Sequence, residues 1–136
     1  MFTITGQPAQ IFLAVGATDL RRGLGGLAAM IRGELQADPT SGALYGFCNR
    51  TRTTVKLFWI ADGGAWVCTK RLARGTFVWP ERGERTITMT PTQLQDLLQG
   101  LTPVPVRARD GWWASLVPTI QEKTSSNLEH PIGAAA

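Results

Sequence analysis

The side chains able to carry out covalent or metal chemistry are few in this 136-residue chain. Its single histidine, His130, lies near the C-terminus in a stretch rich in small and polar residues, far from Cys48 and Cys68 in sequence. A Ser-His or Cys-His nucleophile system needs an imidazole held within hydrogen-bond reach of the nucleophile. The two cysteines fall inside runs that read as strands, where a thiol behaves as a small buried hydrophobe. Two cysteines also cannot build a disulfide framework or a four-ligand zinc site. Metal-assisted chemistry on nucleic acid needs several convergent carboxylates. Asp19, Asp38, Asp62 and Asp96 are scattered, and each has a structural role at hand: helix start, pre-proline turn, hairpin turn and solvated helix face. No catalytic residue, no metal and no cofactor is expected.

Attraction of anions is the chemistry that remains. Fourteen Lys and Arg against ten Asp and Glu leave a net charge of +4, and the excess is localised. Residues 50–85 hold Arg50, Arg52, Lys56, Lys70, Arg71, Arg74, Arg82 and Arg85 against Asp62, Glu81 and Glu84, which is +5; the flanking stretches sum to zero and −1. A localised basic stripe is an electrostatic footprint for polyanions, although a solvated sheet face gives the same composition. A second cluster, Thr18-Asp19-Leu20-Arg21-Arg22-Gly23, places two arginines at a predicted helix start. There, backbone N–H groups and guanidinium forks can hold a phosphate; the alternative is a local Asp19–Arg22 pair. The glycines Gly23, Gly25 and Gly26 resemble a phosphate loop, but on this reading they follow the helix start and lack a Gly-Lys-Ser/Thr ending.

The elements that must position these groups follow from hydrophobic periodicity. Gln10–Val15 reads as a strand, and Thr18 as the cap of a helix from Asp19 onward. Leu20, Leu24, Leu27, Ala28, Ile31 and Leu35 form its apolar stripe. From Ala43 to Met89 the pattern predicts an antiparallel meander with strands Ala43–Cys48, Thr53–Ile60, Ala65–Leu72, Thr76–Trp79 and Arg85–Met89. Asp62-Gly63 predicts a type I′ hairpin turn. That turn pairs Trp59 with Trp66, Leu57 with Cys68 and Val55 with Lys70, and a one-residue slip would exchange the two faces. The nearly all-apolar face (Val55, Leu57, Trp59, Trp66, Cys68) is expected to pack on the helix. The other face mixes Phe58 and Val67 with Lys56, Arg71, Thr54 and Thr69, which suits contact with bases or phosphates or a second small core with a basic fringe. Thr90, Pro91 and Gln93 form a complete helix-start signal, followed by the stripe Leu94, Leu97 and Leu98 and a stop at Gly100. The fold class is therefore α+β: an N-terminal strand and helix packed on an antiparallel β-meander of about five strands, then a short C-terminal helix and an extended tail. Residues 1–109 are expected to form one domain, and 110–136 a largely disordered extension carrying Trp112 and Trp113.

No apolar run is long enough to span a bilayer, and the first residues have neither the basic nor the long apolar region of a secretory signal. The expected setting is the cytoplasm, without a membrane.

The order and spacing of these motifs resemble the accessory protein encoded by the second reading frame of the insertion sequence 66 family of bacterial transposable elements. The resemblance rests on Thr18–Gly23 with Gly26-Leu27, Asp38-Pro39 with Ser41-Gly42 and Leu44, and Lys56-Leu57 with Trp59. It continues through Lys70-Arg71-Leu72, Gly75, Phe77 and Trp79-Pro80, then Gln93-Leu94 with Leu97-Leu98 and Gly100. Departures fall where Gly25, Thr40, Ala61 and Gly63 stand in place of the family's usual acidic or aromatic residues. The resemblance implies a non-enzymatic partner of a separate transposase. Joined to the charge map, it predicts nucleic-acid contacts at Lys56, Lys70, Arg71 and Arg74, extended by Arg50, Arg52, Arg21 and Arg22. The alternative is an adaptor that docks on the transposase without touching DNA, with Trp79-Pro80 and Trp112-Trp113 as anchors.

Overall fold

The computed structural model describes Pro8 and residues 10–99. The first strand, β1 (Ile11–Ala17), leads through a loop to helix α1 (Leu24–Gly33). Strands β2 (Leu44–Cys48), β3 (Thr54–Ala61) and β4 (Gly64–Arg71) follow, then β5 (Thr86–Met89) and helix α2 (Pro91–Gln99). They build an α+β fold around one five-stranded sheet of order β4-β3-β2-β1-β5.

The hairpin forms as its turn residues dictate. Asp62 and Gly63 both take positive φ, 53° and 78°, as the mirror-image turn requires. Trp59 pairs with Trp66, Leu57 with Cys68 and Val55 with Lys70. The helix-start signal of α2 is equally explicit: the Thr90 N–H donates to Gln93 Oε1, and the Gln93 N–H donates to Thr90 Oγ1. These two reciprocal bonds occupy backbone donors that a helix start otherwise leaves open.

Three local expectations are corrected. First, α1 begins at Leu24, not Asp19, with Gly23 as an N-cap that makes no side-chain bond. The chain from Thr18 is held elsewhere: the Thr18 N–H donates to the Cys48 carbonyl and so prolongs the β1–β2 pairing, while the Asp19 carboxylate accepts the backbone and side-chain N–H groups of Arg21. The glycine run therefore opens the helix instead of following its start. Second, Thr76–Trp79 is not a strand. It belongs to an irregular segment whose Phe77 N–H reaches the Arg52 carbonyl, and whose Phe77 and Trp79 side chains are buried. Third, the sheet is mixed. β1 runs parallel to β2 on one side and antiparallel to β5 on the other, so only β2, β3 and β4 form the meander.

The two faces of the sheet carry separate cores. One joins Ile11, Leu13, Leu44, Val55, Leu57 and Trp59 to Phe77, Trp79 and Leu94, so the β3 half of the all-apolar hairpin face packs under α2 and the 72–85 segment and not under α1, while Trp66 and Cys68 on β4 stay exposed. Gly46 is part of the fit: a Cβ there would stand 2.6 Å from Leu13 Cδ2, closer than carbon atoms approach, and the absent side chain admits the Trp79 ring. The other core joins Leu27, Met30 and Ile31 of α1 to Ala14, Tyr45, Phe47 and Phe58, with Ile60 and Val67 packed against it. Phe58 is fully buried, so the mixed face is a second core with charge at its fringe, and Phe58 offers no stacking platform.

Candidate nucleic-acid interface

The parallel pair β1 and β2 ends on one side of the molecule, and there the chain leaves the sheet twice. After β1 it enters the 18–23 loop; after β2 it turns through Asn49–Thr53 into β3. The second turn is braced from within. Asn49 Oδ1 accepts the N–H groups of Thr53 and Thr54, and its Nδ2 donates to Thr53 Oγ1. Arg52 takes a left-handed conformation, φ 58°, which is uncommon outside glycine, asparagine and aspartate, and its guanidinium pairs with Glu81.

Between these two loops lies an open cleft of about 660 Å³, with Arg21, Arg50 and Lys56 among its walls beside Thr18, Thr51 and Thr54. Clefts outside the carboxyl ends of parallel strands are habitual ligand sites in open sheets, because the loops there diverge and leave a crevice. The charges are three cations against the single carboxylate of Asp19. Arg21 binds that carboxylate through its side chain and backbone, and these hydrogen bonds hold the Asp19 carboxyl well below the usual carboxylate range. It stays ionised at neutral pH and cannot serve there as a proton donor. Thr18 is 7% exposed, the one buried polar side chain among the described residues. Lys56 crosses toward the start of α1, where its Nζ donates to the Arg22 carbonyl at 3.3 Å. The cleft is thus rich in donors and cationic, chemistry that suits oxyanions.

The structure divides the residues singled out in the sequence. Arg21, Arg50 and Lys56 meet at the cleft. Arg71, opposite Thr54 in the β3–β4 register, lies on the same sheet face as Lys56. Lys70 is on the other face, and its Nζ donates to the Leu98 carbonyl at the end of α2, 2.7 Å away. Arg22 turns toward Glu34, with 3.8 Å between the charged groups. Arg74 is exposed in the 72–85 segment. Trp79, a predicted partner anchor, is 5% exposed and its Nε1 donates to the Ala14 carbonyl; it is a core residue because its indole fills the space over Gly46. Pro80 is half-buried beside it. Trp112 and Trp113 lie outside the described residues. Sequence reasoning places Thr54 on the same face as Lys56 but does not single out Asn49 or Thr51, since their role depends on where the β2–β3 turn meets the 18–23 loop.

No group of three or more His, Cys, Asp or Glu is placed to hold a metal ion among the described residues. Burial pushes the Cys48 thiol up to about 11, so it stays protonated, while Cys68 is exposed on β4. No helix among the described residues is long and apolar enough to cross a membrane.

A family model described as "IS66 Orf2 like protein" matches residues 9–108, which include every described strand and helix. The chain belongs to this family. Two relatives from Sinorhizobium fredii (strain NBRC 101917 / NGR234) are similar along most of their length. "Uncharacterized protein y4hO" is 37% identical over 97 residues, covering 71% of this chain and 84% of the relative. "Uncharacterized protein y4jC" is 34% identical over 97 residues, covering 68% and 79%. No solved structure matches the chain. Membership of the IS66 Orf2-like family supports an accessory role in transposition of an insertion sequence.

Proposed function

We propose that this IS66 Orf2-like protein is a non-enzymatic accessory factor that binds nucleic acid at the carboxyl ends of β1 and β2, alongside the transposase and other proteins of its element. The observation that carries the reading is the convergence of Arg21, Arg50 and Lys56, from three separate segments, on one open cleft. Phosphate oxygens are the ligands such a cleft suits: the three cations supply charge, and the threonine hydroxyls supply further donors. Arg71 extends the cationic surface along the same face toward β4. Contacts of this kind give affinity and register along the backbone with little sequence choice. Lys70, on the opposite face, is not part of this surface.

The test is a titration with duplex DNA, including element ends, at several salt concentrations. The logarithm of the binding constant should fall linearly with the logarithm of salt. Replacing Arg50 and Lys56 by alanine should flatten the slope by about 0.9 for each phosphate that is no longer neutralised. Absence of binding at low salt, with the protein still captured by its transposase, overturns this reading and leaves an adaptor.

A further inference from the structure

Among the described residues the sheet ends in two open edges that differ in kind. β5 is only four residues long, a length that limits pairing with another chain. β4 is eight residues long, and its pairing with β3 runs without a break from Thr54–Arg71 to Ala61–Gly64. It has no proline or bulge, and from Gly64 to Thr69 it has no charge. All its residues except Val67 are exposed. Trp66 is 40% exposed even though it stacks on Trp59 with ring centroids 5.8 Å apart. Such an edge is a template for another strand.

The hydrogen bonds show which groups of this edge are open. The Leu72 N–H donates to the Thr53 carbonyl, and the Asn49 N–H to the Thr54 carbonyl. Odd-numbered residues of β3 therefore turn their backbone groups toward β4, and even-numbered ones toward β2. By the alternation of an antiparallel ladder, Gly64, Trp66, Cys68 and Lys70 bond inward to β3, while Ala65, Val67 and Thr69 point their N–H and C=O groups away from the sheet.

We propose that this edge pairs antiparallel with the same edge of a second copy of the chain, about a two-fold axis at Val67, joining two five-stranded sheets into one continuous sheet. A second copy is the occupant that both the register of the edge allows and its charge favours. Register parity comes first: an axis at Val67 places Val67 against Val67 and Ala65 against Thr69, so each outward-facing residue meets another outward-facing residue. Charge comes second. Asp62 stands at the hairpin tip of the strand, and Lys70 and Arg71 at its far end. An antiparallel copy brings the acidic tip of each strand beside the cationic end of the other, whereas a parallel copy stacks like charges. Residues directly opposite in such a pair share a face, so both α1 faces, and both clefts, lie on the same side of the joined sheet. The pairing does not depend on whether the cleft binds nucleic acid.

The experiment measures the mass of the full-length chain in solution by light scattering over a range of concentrations. A concentration-dependent dimer is expected. Thr69→Pro removes an outward N–H without touching the bonds to β3, and should leave the circular dichroism spectrum intact while giving a monomer. As a second probe, Val67→Cys combined with Cys68→Ser should give a disulfide-linked dimer under mild oxidant, because directly bonded antiparallel pairs stand about 5.5 Å apart at Cα, within disulfide reach. A monomer at every concentration overturns the proposal. So does a dimer that survives Thr69→Pro with its fold intact, or a Val67→Cys variant that does not cross-link.

Discussion

The two faces of the sheet are built to opposite ends. The face under α2 and the 72–85 segment is closed over β1, β2 and β3: Phe77 and Trp79 fill it, Gly46 leaves room for the Trp79 ring, and the Trp79 indole bonds into β1. The face under α1 is also dry at its centre, around Phe47 and Phe58. At the carboxyl ends of β1 and β2, however, it is uncovered, because α1 starts at Leu24 and leaves residues 18–23 as a loop. Aromatic volume closes one face, and charge surrounds the opening of the other. Burial on the two sides thus serves two purposes: the first fixes the shape of the sheet, and the second leaves a rim where ligands can reach it.

Breaking this contrast should be most costly on the closed face. Trp79→Ala removes a buried ring above Gly46 and should destabilise the protein by about 3–5 kcal/mol, read from the midpoint of urea unfolding. If Trp79 were a partner anchor, the same change would spare stability and weaken capture of the transposase. Thr90→Ala removes one half of the reciprocal cap on α2 and should cost about 1 kcal/mol; the destabilisation should fall on the closed face and leave DNA affinity unchanged. The smallest effect belongs to the rim. Asp19 has its folded pKa lowered by Arg21, so its stabilising contribution is fully present above the unfolded value of about 3.9 and disappears only as pH falls through the lower folded value. Carboxyl carbon shifts followed by NMR should therefore show Asp19 still ionised where an aspartate in an unstructured peptide has already taken up its proton. Titration of Asp19 together with the unstructured peptide would show that the Arg21 bonds do not persist in solution.

Legibility in the sequence follows the range of the forces involved. The hairpin register is readable because Asp62-Gly63 sets it locally, and the α2 start because Thr90 and Gln93 lie three residues apart. The start of α1 is not readable in this way, since Thr18 and Asp19 are good cap residues whose bonds go instead to Cys48, far along the chain, and to Arg21. The Thr76–Trp79 stretch has a strand's composition, but its aromatic residues fill a core and its backbone joins no sheet. Assigning Lys56 and Lys70 to opposite sides of the molecule requires the hairpin register together with the helices that cover each face, and the second of these is a long-range fact. The family resemblance follows the order of the motifs and does not depend on any of these assignments.

The placement of β1 between β2 and β5 bears on how the chain assembles. The β2-β3-β4 meander closes through neighbours in sequence and can form early, since short loops cost little entropy to close. β1 is made first yet completed last, because its second neighbour is β5, with Ile11 waiting for Met89. During synthesis its apolar run therefore keeps an unpaired side until nearly the whole folded region has emerged. Folding should be limited by the arrival of β5, and a chain cut short before Thr86 should expose β1 as a sticky edge.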